Sequence, residues 1–175
     1  TIMAAHTDFA PDACSMGKSL AAGLPMGAIW AGTPLQDKLG AGTHGTTFGG
    51  TPLVSAGALR AIEIIERDGL AQNATDLGNY LKEGIEKLIV TYTSVLTEVR
   101  GLGLMIGIDV TEGIPMFAES KRPASVQMVE RLHEAGLLTI PAGSHTFRLL
   151  PPLNITKEDA DEGLGLIKSV VKELA

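Results

Sequence analysis

Three local features of this 175-residue sequence carry groups able to do chemistry. Lys18 stands in Ser15-Met16-Gly17-Lys18-Ser19-Leu20, among small and apolar neighbours. A lysine amine becomes a nucleophile when desolvation or a nearby cation keeps it neutral, and imine formation with an aldehyde needs that neutral amine. The ordinary alternative is a solvated surface lysine, since unpaired lysines are seldom buried. The second feature is Gly42-Thr43-His44-Gly45-Thr46-Thr47-Phe48-Gly49-Gly50, just ahead of a helix expected from Pro52. Glycines that expose backbone N–H groups, hydroxyls beside them and a following helix N-terminus can cradle a phosphate. The run is neither a dinucleotide fingerprint nor a P-loop, and a tight turn is its alternative. The third is Arg148, in Thr146-Phe147-Arg148-Leu149-Leu150-Pro151-Pro152. An arginine interrupting an apolar strand can present its fork to a carboxylate. An edge-strand arginine that guards against aggregation is the competing account.

Other residues carry less. His6, His44, His133 and His145 lack metal-ligand spacing, there is no Cys/His cluster, and they read as structural or surface histidines, so no metal site is expected. Arg100 before Gly101 reads as a strand-end residue and Asp12 after Pro11 as a turn cap. No acidic pair is placed for hydrolysis, and the G-x-S-x-G elbow is absent.

The elements that must hold these groups differ along the chain. The first fifty residues are glycine-rich and poor in long helices, which suggests strands and structured loops around a site. Residues 28–31, between Gly27 and Gly32, form a short buried strand candidate. Leu59, Ile62 and Ile65 then repeat at helical spacing from about Pro52 until Asp68-Gly69 stops them. A second helix carries Leu77, Leu81, Ile85, Leu88 and Tyr92 on one face. Alternation through Leu96, Glu98, Arg100 and Leu102, and through Leu104, Ile106, Ile108 and Val110, predicts a strand pair. A helix from about Pro123 turns Val126, Val129 and Leu132 inward and ends at Gly136. Short strands follow over 138–140 and 147–150. Thr156 with Asp159 has the form of a capping box for a last helix lined by Ala160, Leu164, Ile167, Val171 and Leu174. The order suggests a compact α/β layer after Gly69, preceded by strands that belong to a larger sheet.

Composition bounds the function. An apolar fraction of 45% with 19% charged residues is that of a globular protein. The scattered 14 basic against 20 acidic residues give a net charge of −6, with no footprint for nucleic acid or an anionic membrane. The single cysteine, Cys14, permits no intrachain disulfide, and no stretch approaches the ~20 apolar residues of a membrane span, so a cytoplasmic protein is expected. The start at Thr1-Ile2-Met3 reads like the middle of something longer.

Taken in order, the residues are more specific than any one of them. The run from Pro11 to Ala28 around Lys18 resembles the cofactor-lysine motif of class III, fold-type I, pyridoxal-phosphate aminotransferases. His44 to Leu53 resembles their second signature, Arg100-Gly101-Leu102-Gly103-Leu104-Met105-Ile106-Gly107 their small-domain strand pair, and Phe147 to Leu153 completes the set. Acetylornithine-type enzymes are the nearest in kind. The resemblance implies an α/β chain in which residues 1–70 are the C-terminal part of the large cofactor-binding domain and 71–175 the small C-terminal domain. It implies pyridoxal 5'-phosphate held by Lys18 as its Schiff-base lysine, with Thr47, Thr46 and the backbone near Gly45 reaching the phosphate of a partner subunit's cofactor in a homodimer. It implies Arg148 on the α-carboxylate of glutamate or 2-oxoglutarate, and amino transfer from acetylornithine or a similar ω-amino donor.

Thr51 departs from the family's usual asparagine, and Gly17 and Ser19 from the commonest flanks of the lysine; neither removes a catalytic group. The family's acidic partner for the pyridine nitrogen, its stacking aromatic residue, its main phosphate loop and its second carboxylate-binding arginine all precede the point where this sequence starts. Alternatives are therefore ornithine or 4-aminobutyrate as donor, a non-catalytic fragment, or an aminomutase or decarboxylase on the same fold.

Overall fold

Apolar residues at every second position fix the sheet that carries Arg148. The computed structural model describes residues 11–175, and the chain divides into two compact units, Thr1–Ala71 and Gln72–Ala175. Within the second unit, strands β3 (Leu96–Leu102), β4 (Met105–Val110), β5 (Ile140–Ala142) and β6 (Thr146–Leu149) form one antiparallel sheet in the order β3-β4-β6-β5. Ile106, Ile108 and Val110 of β4 and Phe147 and Leu149 of β6 point to one face and are buried. Against that face pack Leu81 and Ile85 of α2 (Leu70–Thr91), Met128, Val129 and Leu132 of α3 (Ala124–Glu134), and Ile167, Val171 and Leu174 of α4 (Lys157–Leu174). Each helix thus buries one stripe against a one-sided sheet, the two-layer solution for amphipathic elements.

Local chemistry sets the ends. Thr156 caps α4 by a full capping box, its hydroxyl accepting from the Asp159 N–H at 3.2 Å while Asp159 takes the Thr156 N–H at 3.0 Å. Gly103, at φ +54°, sits in the two-residue turn between Leu102 and Met105, where a left-handed residue is needed. A Cβ on Gly78 of α2 would lie 2.2 Å from the Gly103 carbonyl oxygen, so the helix crosses the hairpin tip backbone to backbone.

Three expectations in this unit need correction. Leu96 does not share a face with Glu98, Arg100 and Leu102: an irregularity between Leu96 and Glu98 inserts one residue, and a one-residue slip flips the parity of everything after it. Leu96 is buried while Glu98, Arg100 and Leu102 face outward. The strand expected over 138–140 begins at Ile140 instead, because the Thr139 N–H donates to His133 Nε2 at 3.1 Å and leaves ladder pairing to start one residue later, while Leu138 is 84% exposed. In α3 the buried face is Ser125, Met128, Val129 and Leu132, with Val126 only half-buried.

The first unit, described from residue 11, holds the antiparallel pair β1 (Ala13–Met16) and β2 (Ala28–Ala31) and helix α1 (Pro52–Arg67). Proline sits in the first turn of α1, where its missing N–H costs nothing, and Gly69 at φ +63° follows its end. Leu24 approaches the Cβ-less Gly57 of α1. Strand β2 is not buried as expected: Ile29 and Trp30 are 59% and 49% exposed, since among the described residues of the unit no element packs over them.

Candidate active site

Lys18 follows β1 after Gly17 and opens a 3₁₀ turn, Lys18–Leu20, held by the Leu20 N–H donating to the Gly17 carbonyl at 3.2 Å. Its φ is +56°, the left-handed region that a non-glycine residue occupies at a cost of roughly 1–2 kcal/mol. Strain of this kind clusters where function over-determines the backbone. The side chain is exposed, and among the described residues no hydrogen bond or ion pair engages its amine. The desolvation that the sequence argument asked of its neighbours is therefore not supplied by the small residues around it.

Gly45, Thr46 and Thr47 lie in an exposed loop that runs into α1. Gly49 lets Thr46 fold onto the chain: a Cβ there would be 2.1 Å from Thr46 Cγ2. Thr43 Oγ1 donates to the Gly40 carbonyl at 2.7 Å and stands 3.1 Å from His44 Nδ1, which makes His44 a loop-forming residue. Thr51 at the helix N-cap makes no side-chain cap bond, so its hydroxyl leaves the first N–H groups of α1 uncapped. An anion is the natural complement of such an end beside threonine hydroxyls.

Arg148 belongs to the second unit, so Lys18 and the loop are in one unit and the arginine in the other. Strand β6 lies between β4 and β5, which disposes of the edge-strand account: Arg148 pairs with Gly107 on one side and Ile140 on the other. Its Nε is buried and has no hydrogen-bond partner among the described residues. A buried guanidinium N–H left without an acceptor is expensive, and a carboxylate taken side-on by the fork would satisfy it.

The same outward face carries a group that sequence reasoning missed. Arg100, inside β3 and not at its end, donates from Nη1 to Asp109 Oδ2 at 2.6 Å and from Nη2 to Thr146 Oγ1 at 3.2 Å. Thr146 Oγ1 in turn donates to Asp109 Oδ1 at 2.5 Å. The Arg100 hydrogen bond, with that of Thr146, holds the Asp109 carboxyl below its usual range against the opposing effect of burial. Arg100 is thus a satisfied cation and Arg148 an unsatisfied one. The signal available was Asp109 interrupting Ile106-Gly107-Ile108, but its partner Thr146 is fixed by register between strands distant in sequence.

The remaining candidates are structural. His133 bonds the Thr139 backbone, and His145 Nε2 lies 3.0 Å from Glu112 on the surface. The Asp12 carbonyl accepts from the Gly32 N–H at 2.7 Å; His6 lies outside the described residues. Among the described residues no cluster of His, Cys, Asp and Glu is arranged for a metal ion, and no helix is long and apolar enough to cross a membrane.

Comparison with known proteins identifies the family. The Aminotransferase class-III family profile matches residues 2–171. The acetylornithine aminotransferase of Lactococcus lactis subsp. lactis is 41% identical over 167 residues, 95% of this chain and 41% of that protein. The crystal structure of acetylornithine aminotransferase from Elizabethkingia anophelis superposes with a TM-score of 0.84 at 33% identity, covering 97% of this chain and 43% of that one. Ornithine aminotransferase from Plasmodium yoelii gives 0.86 at 29% identity, covering 98% and 43%. The chain thus spans about two-fifths of the length of the relatives it matches. It belongs to the class-III aminotransferase family and has the fold of part of a fold-type I enzyme.

Proposed function

We propose that the protein is a pyridoxal-phosphate aminotransferase that moves the amino group of acetylornithine, or a similar ω-amino donor, to 2-oxoglutarate. The observation that supports this reading is Arg148, a half-buried arginine on a central strand whose buried Nε has no acceptor among the described residues. Bound pyridoxal phosphate supplies the electron sink that makes a proton on the amine-bearing carbon labile. Lys18 would be its attachment point, and the Lys18 Nζ would move that proton as a positioned general base and acid. Thr46, Thr47 and the backbone at Gly45 hold the phosphate by N–H and O–H donation at the start of α1. Arg148 fixes the carboxylate of the oxo acid, which favours a dicarboxylic second substrate over aminomutase or decarboxylase chemistry. We read the assembly as a homodimer in which the loop of one subunit serves its partner, and the compartment as the cytoplasm, with one cysteine in the sequence.

A second donor has specific support: ornithine aminotransferase structures superpose as well as the acetylornithine enzyme does. The test is turnover by the full-length protein with 2-oxoglutarate against acetylornithine, ornithine and 4-aminobutyrate in parallel. Acetylornithine should give the highest kcat/KM. A preference for ornithine would move the assignment to the second reading, and no amino transfer from any of the three would overturn both.

A further inference from the structure

Asp109 stands at a symmetric position between two arginines. It lies opposite Thr146, whereas Arg100 and Arg148 both lie opposite Gly107, two residues away on the same face of the sheet. Asp109 is therefore the diagonal neighbour of each. Diagonal residues on adjacent antiparallel strands are about 7–8 Å apart, within reach of long side chains. The carboxylate is nonetheless committed to one side, with Oδ2 on Arg100 at 2.6 Å and Oδ1 on Thr146 at 2.5 Å. Glu98, 3.6 Å from Arg100 Nη1, adds to the acidic surroundings of that arginine. Arg148, one diagonal the other way, is left with a buried Nε that no acceptor meets. Gly107 between the two arginines carries no side chain, and Thr146 Cγ2 lies 3.2 Å from where its Cβ would stand.

We propose that Arg100 is a positioning residue that keeps Arg148 open to the substrate carboxylate by holding Asp109, an intramolecular carboxylate that otherwise closes on Arg148. The proposal rests on the reading of Arg148 as the carboxylate binder. A tethered carboxylate competes at an effective concentration on the order of millimolar. Its release multiplies the apparent KM by one plus the ratio of that concentration to the carboxylate's own dissociation constant at Arg148, about tenfold where that ratio is about ten. Saturating substrate displaces it, so kcat is spared.

The experiment measures KM and kcat for 2-oxoglutarate, and inhibition by glutarate, in the full-length protein. Arg100→Ala should raise KM and the glutarate inhibition constant about tenfold with kcat within about twofold, as expected for a competing carboxylate. Arg100→Ala combined with Asp109→Ala should return both constants to near the wild-type values. Arg100→Lys, which keeps a cation for Asp109, should rescue most of the loss. Arg100→Gln, which keeps a donor to Thr146 but no charge, gives the same test should the alanine variant not fold. An unchanged KM in Arg100→Ala or Arg100→Gln, or a rise that persists in the double variant, overturns the proposal, since a structural role would make the double variant no better. Arg148→Met is the control: no loss of oxo-acid affinity there would refute the carboxylate-binding reading itself.

Discussion

Arg148→Met separates a residue kept for function from one kept for stability. The arginine sits in the middle of the sheet with Nε buried and unpartnered, so the folded protein carries its desolvation without a compensating bond. Leaving a buried donor unsatisfied costs about 1–3 kcal/mol. Because the residue as a whole is only half-buried, the lower end applies. Methionine keeps a flexible unbranched stem for the same space and brings nothing that must be desolvated. The variant should gain about 1 kcal/mol, which for a chain of more than about 150 residues raises Tm by roughly 2–4 °C. The same change removes a charge-assisted bond of about 1.5–3 kcal/mol to a carboxylate, a loss of roughly 10–150-fold in affinity for glutarate. Thermal unfolding by circular dichroism and glutarate inhibition, measured on the same preparation, give both signs at once. A variant destabilised by about 1 kcal/mol or more would refute the reasoning, because Arg148 would then be holding the sheet together.

Gly78→Ala should destabilise by about 2 kcal/mol or more despite alanine's better helix propensity, because its Cβ would meet the Gly103 backbone at 2.2–3.0 Å. Gly84→Ala should cost less, since it meets the ends of the Leu164 side chain, which can move; equal losses in urea unfolding would contradict this contrast. The Asp109 carboxyl, depressed first by the Arg100 hydrogen bond, contributes stability that is present above the ordinary carboxylate pKa and is lost as pH falls through its lower folded value. Stability followed by denaturant titration below about pH 4 should therefore fall less steeply in Asp109→Asn than in the wild type, and identical slopes would contradict the pairing.

The reach of the sequence follows the range of the interactions involved. Helix α4 is legible because a capping box and a 3.6-residue stripe are local, and α1 and α2 because their apolar residues repeat within a few turns. The inserted residue between Leu96 and Glu98 is not legible, since it appears only when β3 is paired with β4. The start of β5 was misplaced because a histidine side chain takes a backbone donor at Thr139. Lys18, Thr47 and Arg148 stand out in the sequence as residue types in an order, while their surroundings do not. Nothing local shows that Lys18 is left-handed and exposed, or that Arg148 lies on a central strand with an orphaned Nε while Arg100 is already paired.

The central claim is that Lys18 is the group that takes the cofactor, and mass spectrometry of the full-length protein tests it directly. Borohydride reduction in excess pyridoxal phosphate, followed by peptide mapping, should give one adduct per chain, confined to Lys18 and absent from Lys18→Ala. Adducts spread over many lysines, or none, would contradict the account.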